Sequence, residues 1–200
     1  MAWAKNGTPD TLGSAADQLN ITDLTENKFI FILQHTLAAV GNTFGKFNTG
    51  SGSIDTGSNY TTRRRPDGTG EITAINQTVC EFHSNHLGDD FCVGYMANIA
   101  TEEKLIIGFE VNRGTAGATN LPQKQESVHK WSNTSAYADH LRFTNDGVTN
   151  GYLTDSNLSA LGSDMTPVTA SSATISDGAI FHETDTNKSY VLSSNTWTEL

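Results

Sequence analysis

Two neighbouring segments near the middle of the chain alternate between apolar and other side chains with a period of two. Residues 91–99 place Phe91, Val93, Tyr95, Ala97 and Ile99 on one face, and Cys92, Gly94, Met96 and Asn98 on the other. Residues 104–111 alternate in the same way, with Leu105, Ile107, Phe109 and Val111 on one face. Successive side chains of a β-strand point to opposite faces, so this period predicts two strands. The short connection at 100–103 predicts that they form a hairpin.

Further short segments along the first 165 residues also have strand character. Leu19 and Ile21 alternate with polar neighbours, as in an edge strand, whereas 28–37 is mostly apolar, as in a central strand. Other predicted strands are 44–48, 59–64, 72–82 with a bulge or change of face, 127–132, 141–144 and 158–161. Residues 66–68 predict a turn and 112–124 an exposed loop. Many short strands at hairpin spacing, without a helical pattern, predict an all-β fold, an antiparallel β-sandwich.

The last residues of the chain predict a separate small meander. Strands are expected at 179–182, 189–192 and 196–199, joined by turns at 185–188 and 193–195. Residues 166–176 are poor in large apolar side chains and are interpreted as a linker. The expected organisation is therefore a sandwich domain over 1–165, a linker over 166–176 and a meander over 177–200. Three such short strands need a partner surface to be stable.

The charge of the chain argues against a nucleic-acid partner. The net charge is −10 and the pI is near 4.8, so there is no surplus of basic groups to bind phosphates. The one basic run, Arg63, Arg64 and Arg65, is interpreted as a solvated turn flank or as a partner for carboxylates of a neighbouring subunit.

The longest apolar run, 29–33, is far too short to span a membrane. The first residues lack the pattern of a secretory signal, so we expect the protein to be made and used in the cytoplasm.

Two cysteines and two histidines form the single cluster that could bind a metal. Cys80, His83, His86 and Cys92 are suitable ligand types for zinc, although their spacing matches no standard zinc motif. Three interpretations remain open: two unpaired thiols, of which at least one is buried; a Cys80–Cys92 disulfide formed after release from the cell; and a zinc site. Unpaired thiols are favoured for a protein assembled in a reducing cytoplasm, and no metal or other cofactor is expected.

No group of residues predicts catalysis. The acids Glu81, Glu110, Glu126 and Glu183 are scattered, and no pair of them is favoured for glycoside hydrolysis. The sequence contains neither a nucleophile elbow nor a phosphate-binding loop between a strand and a helix. His83, His86, Asp89 and Asp90 are interpreted as polar loop residues. The chain is therefore expected not to be an enzyme.

Several aromatic residues could bind a ligand. Trp131, Tyr137 and Tyr152, together with Tyr60, could stack on sugar rings. The competing interpretation of Trp131 as a core or subunit-contact residue is favoured, because it lies in a strand-like segment and because interfaces prefer amphipathic rings.

The terminal meander, with a Trp near its end, resembles the C-terminal module of many tailed-phage structural proteins. In the body of the chain, five segments taken in order are similar to virion-associated proteins of phages and marine viruses: 11–22 (TLGSAADQLNIT), 103–108 (EKLIIG), 114–122 (GTAGATNLP), 128–135 (VHKWSNTS) and 156–162 (SNLSALG). The resemblance implies a jelly-roll-like β-sandwich exposed on the head or tail of the particle. It implies no catalytic residue, and it does not extend to the Cys80 and Cys92 region.

The sequence thus leads to the expectation of a virion structural protein of the bacteriophage type. We expect a capsid decoration or head-surface protein, assembled in the host cytoplasm as a homo-oligomer, with a major capsid or tail protein as partner. Apolar strand residues and aromatics would make the subunit contacts, and the polar loops would face solvent or a host glycan. The terminal meander would dock on a neighbouring subunit or on the capsid. The alternative is a tail-fibre tip or carbohydrate-binding module that recognises a receptor.

Overall fold

The computed structural model describes residues 3–37, 45–82, 89–145, 149–164, 177–183, 187–194 and 196–200, with side chains omitted for 45–47. These residues contain strands, turns and loops, and the described ranges include no helix. The chain divides into two compact units, Met1–Asp164 and Met165–Leu200, each described here by itself. The expected linker at 166–176 lies outside the described residues.

The described part of the larger unit contains thirteen strands. They are β1 (Ala4–Lys5), β2 (Asp10–Thr11), β3 (Gln18–Ile21), β4 (Phe29–Thr36), β5 (Gly45–Gly50), β6 (Tyr60–Pro66), β7 (Ile72–Gln77), β8 (Cys80–Glu81), β9 (Asp90–Ala97), β10 (Lys104–Asn112), β11 (Gln123–Trp131), β12 (His140–Asn145) and β13 (Asn157–Ser163).

The strands form two antiparallel sheets. The large sheet has the order β1-β13-β4-β9-β10-β11-β6-β7, with β2 also paired to β13, and the small sheet has the order β3-β12-β5-β8. The predicted hairpin is β9–β10, in which Tyr95 pairs with Ile107 and Gly94 with Gly108. The expectation of an all-β antiparallel sandwich is therefore confirmed.

Some strand boundaries differ from those predicted. β11 begins at Gln123, four residues before the predicted start at 127. The sequence did not indicate this earlier start, because residues 123–126 are all polar and give no apolar alternation. The predicted segment 72–82 is two strands: β7 belongs to the large sheet and β8 to the small one. Asn76 has the left-handed φ of 54° and lies where the β6–β7 register shifts between the Thr62–Ala74 and Tyr60–Gln77 pairs, as expected for a bulge.

Phe82, just after β8, fills the centre of the core between the sheets. Its ring stacks on His129 at 4.6 Å between centroids and meets the Phe143 ring edge-on at 5.3 Å. On the large sheet the ring lies over Gly108, where an added Cβ would approach the Phe82 ring to 2.5 Å. A glycine at this position therefore lets a bulky side chain of one sheet lie directly against the backbone of the other.

The smaller unit is a three-stranded meander of β14 (Ile180–Glu183), β15 (Lys188–Ser193) and β16 (Thr196–Glu199). The predicted strands are thus confirmed to within about two residues. Phe181 and Trp197 meet edge-on with centroids 6.2 Å apart, and Leu192 is the large side chain that this unit buries among its described residues. The predicted turn at 185–188 lies partly outside the described residues.

Candidate contact surface

The large sheet has one side against the small sheet and one side toward solvent, and the apolar residues of its central hairpin lie on the solvent side. Leu105, Ile107 and Phe109 expose 58%, 49% and 48% of their surface. The solvent-facing large hydrophobic residues of β4, β9, β10 and β11 with marked exposure are Phe29, Phe91, Tyr95, Leu105, Ile107, Phe109, Val111 and Val128. We call this side of β13, β4, β9, β10, β11 and β6 the outer face.

The strand register makes the apolar side chains of the outer face contiguous. Phe31 pairs with Tyr95, Tyr95 with Ile107, and Ile107 with Val128, so one apolar row crosses four strands. The rings of Phe31 and Tyr95 are stacked with centroids 4.7 Å apart, and Trp3 meets Phe31 edge-on at 6.0 Å. Cross-strand neighbours of this kind form a continuous surface rather than isolated exposed residues.

Charged residues border the outer face along β11 and β6. Three ion pairs lie there: Arg63 with Glu71 at 2.6 Å, Lys130 with Glu103 at 3.1 Å, and Lys124 with Glu126 at 3.3 Å. All three are solvent-exposed and contribute little to stability. The border is nearly neutral, because Arg63, Lys124 and Lys130 each have a carboxylate beside them, while Arg65 on the same side of β6 donates to the carbonyl oxygen of Thr69.

Two depressions, of about 410 and 380 Å³, lie on the β6 and β11 side of the outer face. Ile107 and Val128 line both of them, and Arg63 flanks both. An apolar floor with a charged border is the arrangement found where a protein partner inserts side chains.

The opposite side of the same strands carries polar groups, and these are buried. Asp90, Glu110 and Asn112 are all within the core, where Asn112 donates a hydrogen bond from its amide to Asp90. Thr36 also donates to Asp90, at 3.4 Å. Glu110, which the alternation places on the hydrophilic side of its strand, is therefore an interior residue. The hydrogen bonds of Thr36 and Asn112 to Asp90 offset the cost of burying these polar groups on the inner side of the sheet.

Lys104 is a second buried charge, and its role is structural. Its ammonium donates hydrogen bonds to the carbonyl oxygens of Glu102 at 2.6 Å, Asn133 at 2.8 Å and Ala100 at 3.3 Å. It also lies 5.6 Å from the centroid of the Trp131 ring. Burial lowers its pKa, and the nearby charge of Glu102 acts in the opposite direction. These contacts tie the β9–β10 turn to the loop after β11.

Trp131 and Tyr152 are core residues, so the sugar-stacking interpretation is wrong for both. They are 1% and 0% exposed, and a ring without exposed faces cannot stack on a sugar. The indole of Trp131 donates a hydrogen bond to Asp55 at 2.7 Å. Burial acts to raise the pKa of Asp55, but hydrogen bonds from Trp131, Gly57 and Asn59 outweigh it and lower the pKa. Tyr60 is buried as well, whereas Tyr137 is half-buried in the loop before β12.

Cys80 and Cys92 are unpaired buried thiols in this structure, so the disulfide interpretation is not supported by it. Cys80 belongs to the small sheet and Cys92 to the large one, although the two strands follow each other in the chain. Burial raises the pKa of Cys80 to about 12. Burial also raises the pKa of Cys92, helped by the charges of Glu110 and Asp90. Both thiols are therefore protonated at neutral pH and poorly reactive.

The zinc interpretation depends on His83 and His86, which lie outside the described residues. Within the described ranges, no group of three or more His, Cys, Asp or Glu side chains is placed to hold a metal. Asp89, from the same part of the sequence, forms an ion pair with Arg113 at 3.0 Å.

The basic run lies at the end of strand β6, directly before the turn at 67–68 that it was expected to flank. Arg63 and Arg64 pair within the chain, with Glu71 and Glu81 respectively, and Arg65 donates to the carbonyl oxygen of Thr69. Of the other acids considered for catalysis, Glu126 pairs with Lys124, Glu110 is buried, and Glu183 belongs to the other unit.

No protein-family model, curated protein or solved structure matches the chain. In the part of the chain that the structure describes, no helix has the length and apolar character to cross a bilayer.

Proposed function

We propose that this protein is a structural subunit on the surface of a virus particle, and specifically a capsid decoration or head-surface protein that acts by protein–protein contact. The sequence resemblance to virion-associated proteins supports the viral setting. The observation that carries the proposal is the exposed apolar outer face of the large sheet. A protein that leaves a contiguous row of large apolar side chains exposed is suited to bind another protein.

The extent of the apolar surface supports this proposal. Its apolar centre covers the strands β4, β9 and β10 and includes Val128 of β11. Three strands about 4.8 Å apart, each of about eight residues at about 3.4 Å per residue, cover roughly 400 Å². Monomeric proteins seldom leave a contiguous apolar patch larger than a few hundred square ångströms in water, and such patches are commonly binding sites.

We expect the substitution Ile107→Glu to abolish incorporation of the protein into particles. Ile107 lies in the apolar row at the centre of the outer face, so the substitution would bury an unpaired carboxylate in the contact. Because the side chain is half exposed in the isolated chain, the fold should be little affected. Incorporation is measured as the amount of variant protein in purified particles relative to wild type.

The matched control is Leu121→Glu, which makes a similar change at a loop residue that is 88% exposed and lies off the outer face. This variant should be incorporated at the wild-type level. Normal incorporation of a folded Ile107→Glu protein would contradict the proposal that the outer face makes the contact.

A receptor-recognition role is the second candidate, and one observation favours it. Tyr95 and Trp3 are exposed on the same side of the large sheet, on either side of Phe31, and exposed aromatic rings can stack on sugars. The neighbouring side chains are Ile107, Val93 and Phe91, which offer no side-chain hydrogen bonds to hydroxyl groups. The surface is therefore better suited to a protein than to a glycan.

A further inference from the structure

We infer that the outer face binds a second copy of this chain, forming a two-fold symmetric dimer in which the two large sheets pack face to face. This inference rests on the proposed function, because it names the partner of the same surface. Three features of the outer face support a dimer: its area, its charge distribution and the order of its strands.

The area of the outer face matches the requirement for a stable dimer. With its borders, the face extends over the six strands β13, β4, β9, β10, β11 and β6. Six strands of about eight residues cover roughly 29 Å by 27 Å, or about 800 Å². A standard stable interface buries about 800 Å² on each partner. One copy of this face laid on another therefore reaches that size.

The charge distribution favours a copy of the same face over a strongly charged partner. The chain carries a net charge of −10, yet on the β11 and β6 border the cations Arg63, Lys124 and Lys130 are each paired with a carboxylate of the same chain. The acidic excess therefore lies elsewhere on the chain. Two copies that meet through this face avoid the like-charge repulsion that other surfaces would bring together.

The order of the strands allows the face to be complementary to itself. A two-fold axis that runs in the plane of the contact, parallel to the strands between β9 and β10, places the apolar centre of one copy on the apolar centre of the other. The same axis places β6 over β13 of the partner copy and β11 over β4 of the partner copy. The outward residues Asn157 and Ser159 of β13 are uncharged. Stacked sheets pack about 10 Å apart with interdigitated side chains.

The test is sedimentation equilibrium of the full 200-residue chain. We expect the wild-type protein to have twice the monomer mass of 21.5 kDa at about 10 μM. Ile107→Glu would introduce two carboxylates close to the two-fold axis, so its dissociation constant should rise at least ~100-fold and the protein should sediment as a monomer. Val128→Glu, on the adjacent strand, should have the same effect, whereas Leu121→Glu should remain dimeric. Circular dichroism shows whether each variant is folded.

The outcomes separate this inference from the proposed function. A wild-type chain that stays monomeric at about 100 μM would overturn the inference. So would a dimer that tolerates both Ile107→Glu and Val128→Glu, or an oligomer larger than two that depends on these residues. If the wild type is monomeric but Ile107→Glu still prevents incorporation, the dimer is wrong and the structural function stands. If the dimer forms as expected but incorporation does not depend on Ile107, the proposed function is wrong and the dimer stands.

Discussion

Replacing Trp131 with alanine is expected to lower the free energy of unfolding by about 4 kcal/mol. The indole is 1% exposed and its nitrogen donates a hydrogen bond to Asp55. The substitution leaves a large cavity between the sheets, removes one of the three hydrogen bonds to Asp55 and takes away the ring beside the buried ammonium of Lys104. The measurement is urea unfolding at pH 7, monitored by circular dichroism.

The variant Trp131→Phe is the matched control, since it keeps an aromatic ring but loses the hydrogen bond. We expect its loss to be about half that of the alanine variant. Near wild-type stability of Trp131→Ala would show that the residue is not part of the core, and would reopen its interpretation as a binding residue.

Acidification from pH 7 to pH 4 should cost the folded state about 3 kcal/mol through His129 alone. Burial, assisted by the positive charge of Arg64, lowers the pKa of His129 from its ordinary value of 6.5 to about 3. Between these two pKa values the unfolded chain binds a proton that the folded chain does not. Stability is therefore highest above pH 6.5, is lost as the pH falls toward 3, and changes no further from this group below that.

The environment of His129 explains why its neutral form is kept. Its ring nitrogens lie 3.1 Å from the Thr62 hydroxyl and 2.9 Å from the Ser127 hydroxyl, and its ring stacks on Phe82. We expect His129→Gln to be less stable than wild type at pH 7 but to have a shallower slope of unfolding free energy between pH 6.5 and 4. Equal slopes for wild type and His129→Gln would contradict the predicted pKa.

The strands of this fold could be predicted from the sequence because most have a clear apolar signal. The alternation of 91–99 and 104–111 corresponds to the register of β9 with β10, and the three terminal strands lie within about two residues of their predicted positions. The first part of β11 could not be found in this way. Its residues before Ser127 are polar on both faces, and their pairing with β10 becomes apparent only in the assembled sheet.

Alternation shows that two faces exist but not which one is buried. The inner face at the middle of the large sheet is built from Gly94 and Gly108, and the bulk that fills this space is Phe82, which follows a strand of the other sheet. The large side chains on the other face of these strands, such as Tyr95 and Ile107, are therefore not needed to fill the core. The local sequence of β9 and β10 does not show that Phe82 fills this space, because that depends on which segment crosses between the sheets.

The disulfide interpretation of Cys80 and Cys92 assumed that neighbours in sequence are neighbours in space. The two residues lie in consecutive strands, but β8 pairs with β5, and β9 pairs with β4 and β10. The favoured interpretation of two unpaired thiols, at least one of them buried, agrees with the structure. Trp131 was correctly favoured as a core or contact residue, because the strand pattern of its segment was visible. The sequence led to the expectation of apolar strand residues for subunit contacts, but which apolar strand residues are exposed could be named only from the structure.

The rate of thiol labelling at position 107 tests most directly whether the outer face is a contact surface. Both native cysteines are buried, so a maleimide should report on Ile107→Cys, with Leu121→Cys as an exposed reference and Ile106→Cys as a buried one. We expect Ile107→Cys to react as fast as Leu121→Cys in dilute protein and at least ~10-fold more slowly in assembled protein, because the partner excludes the reagent. Slow labelling in dilute protein would show that this side of the sheet faces the core, and equal rates in both states would show that nothing binds there.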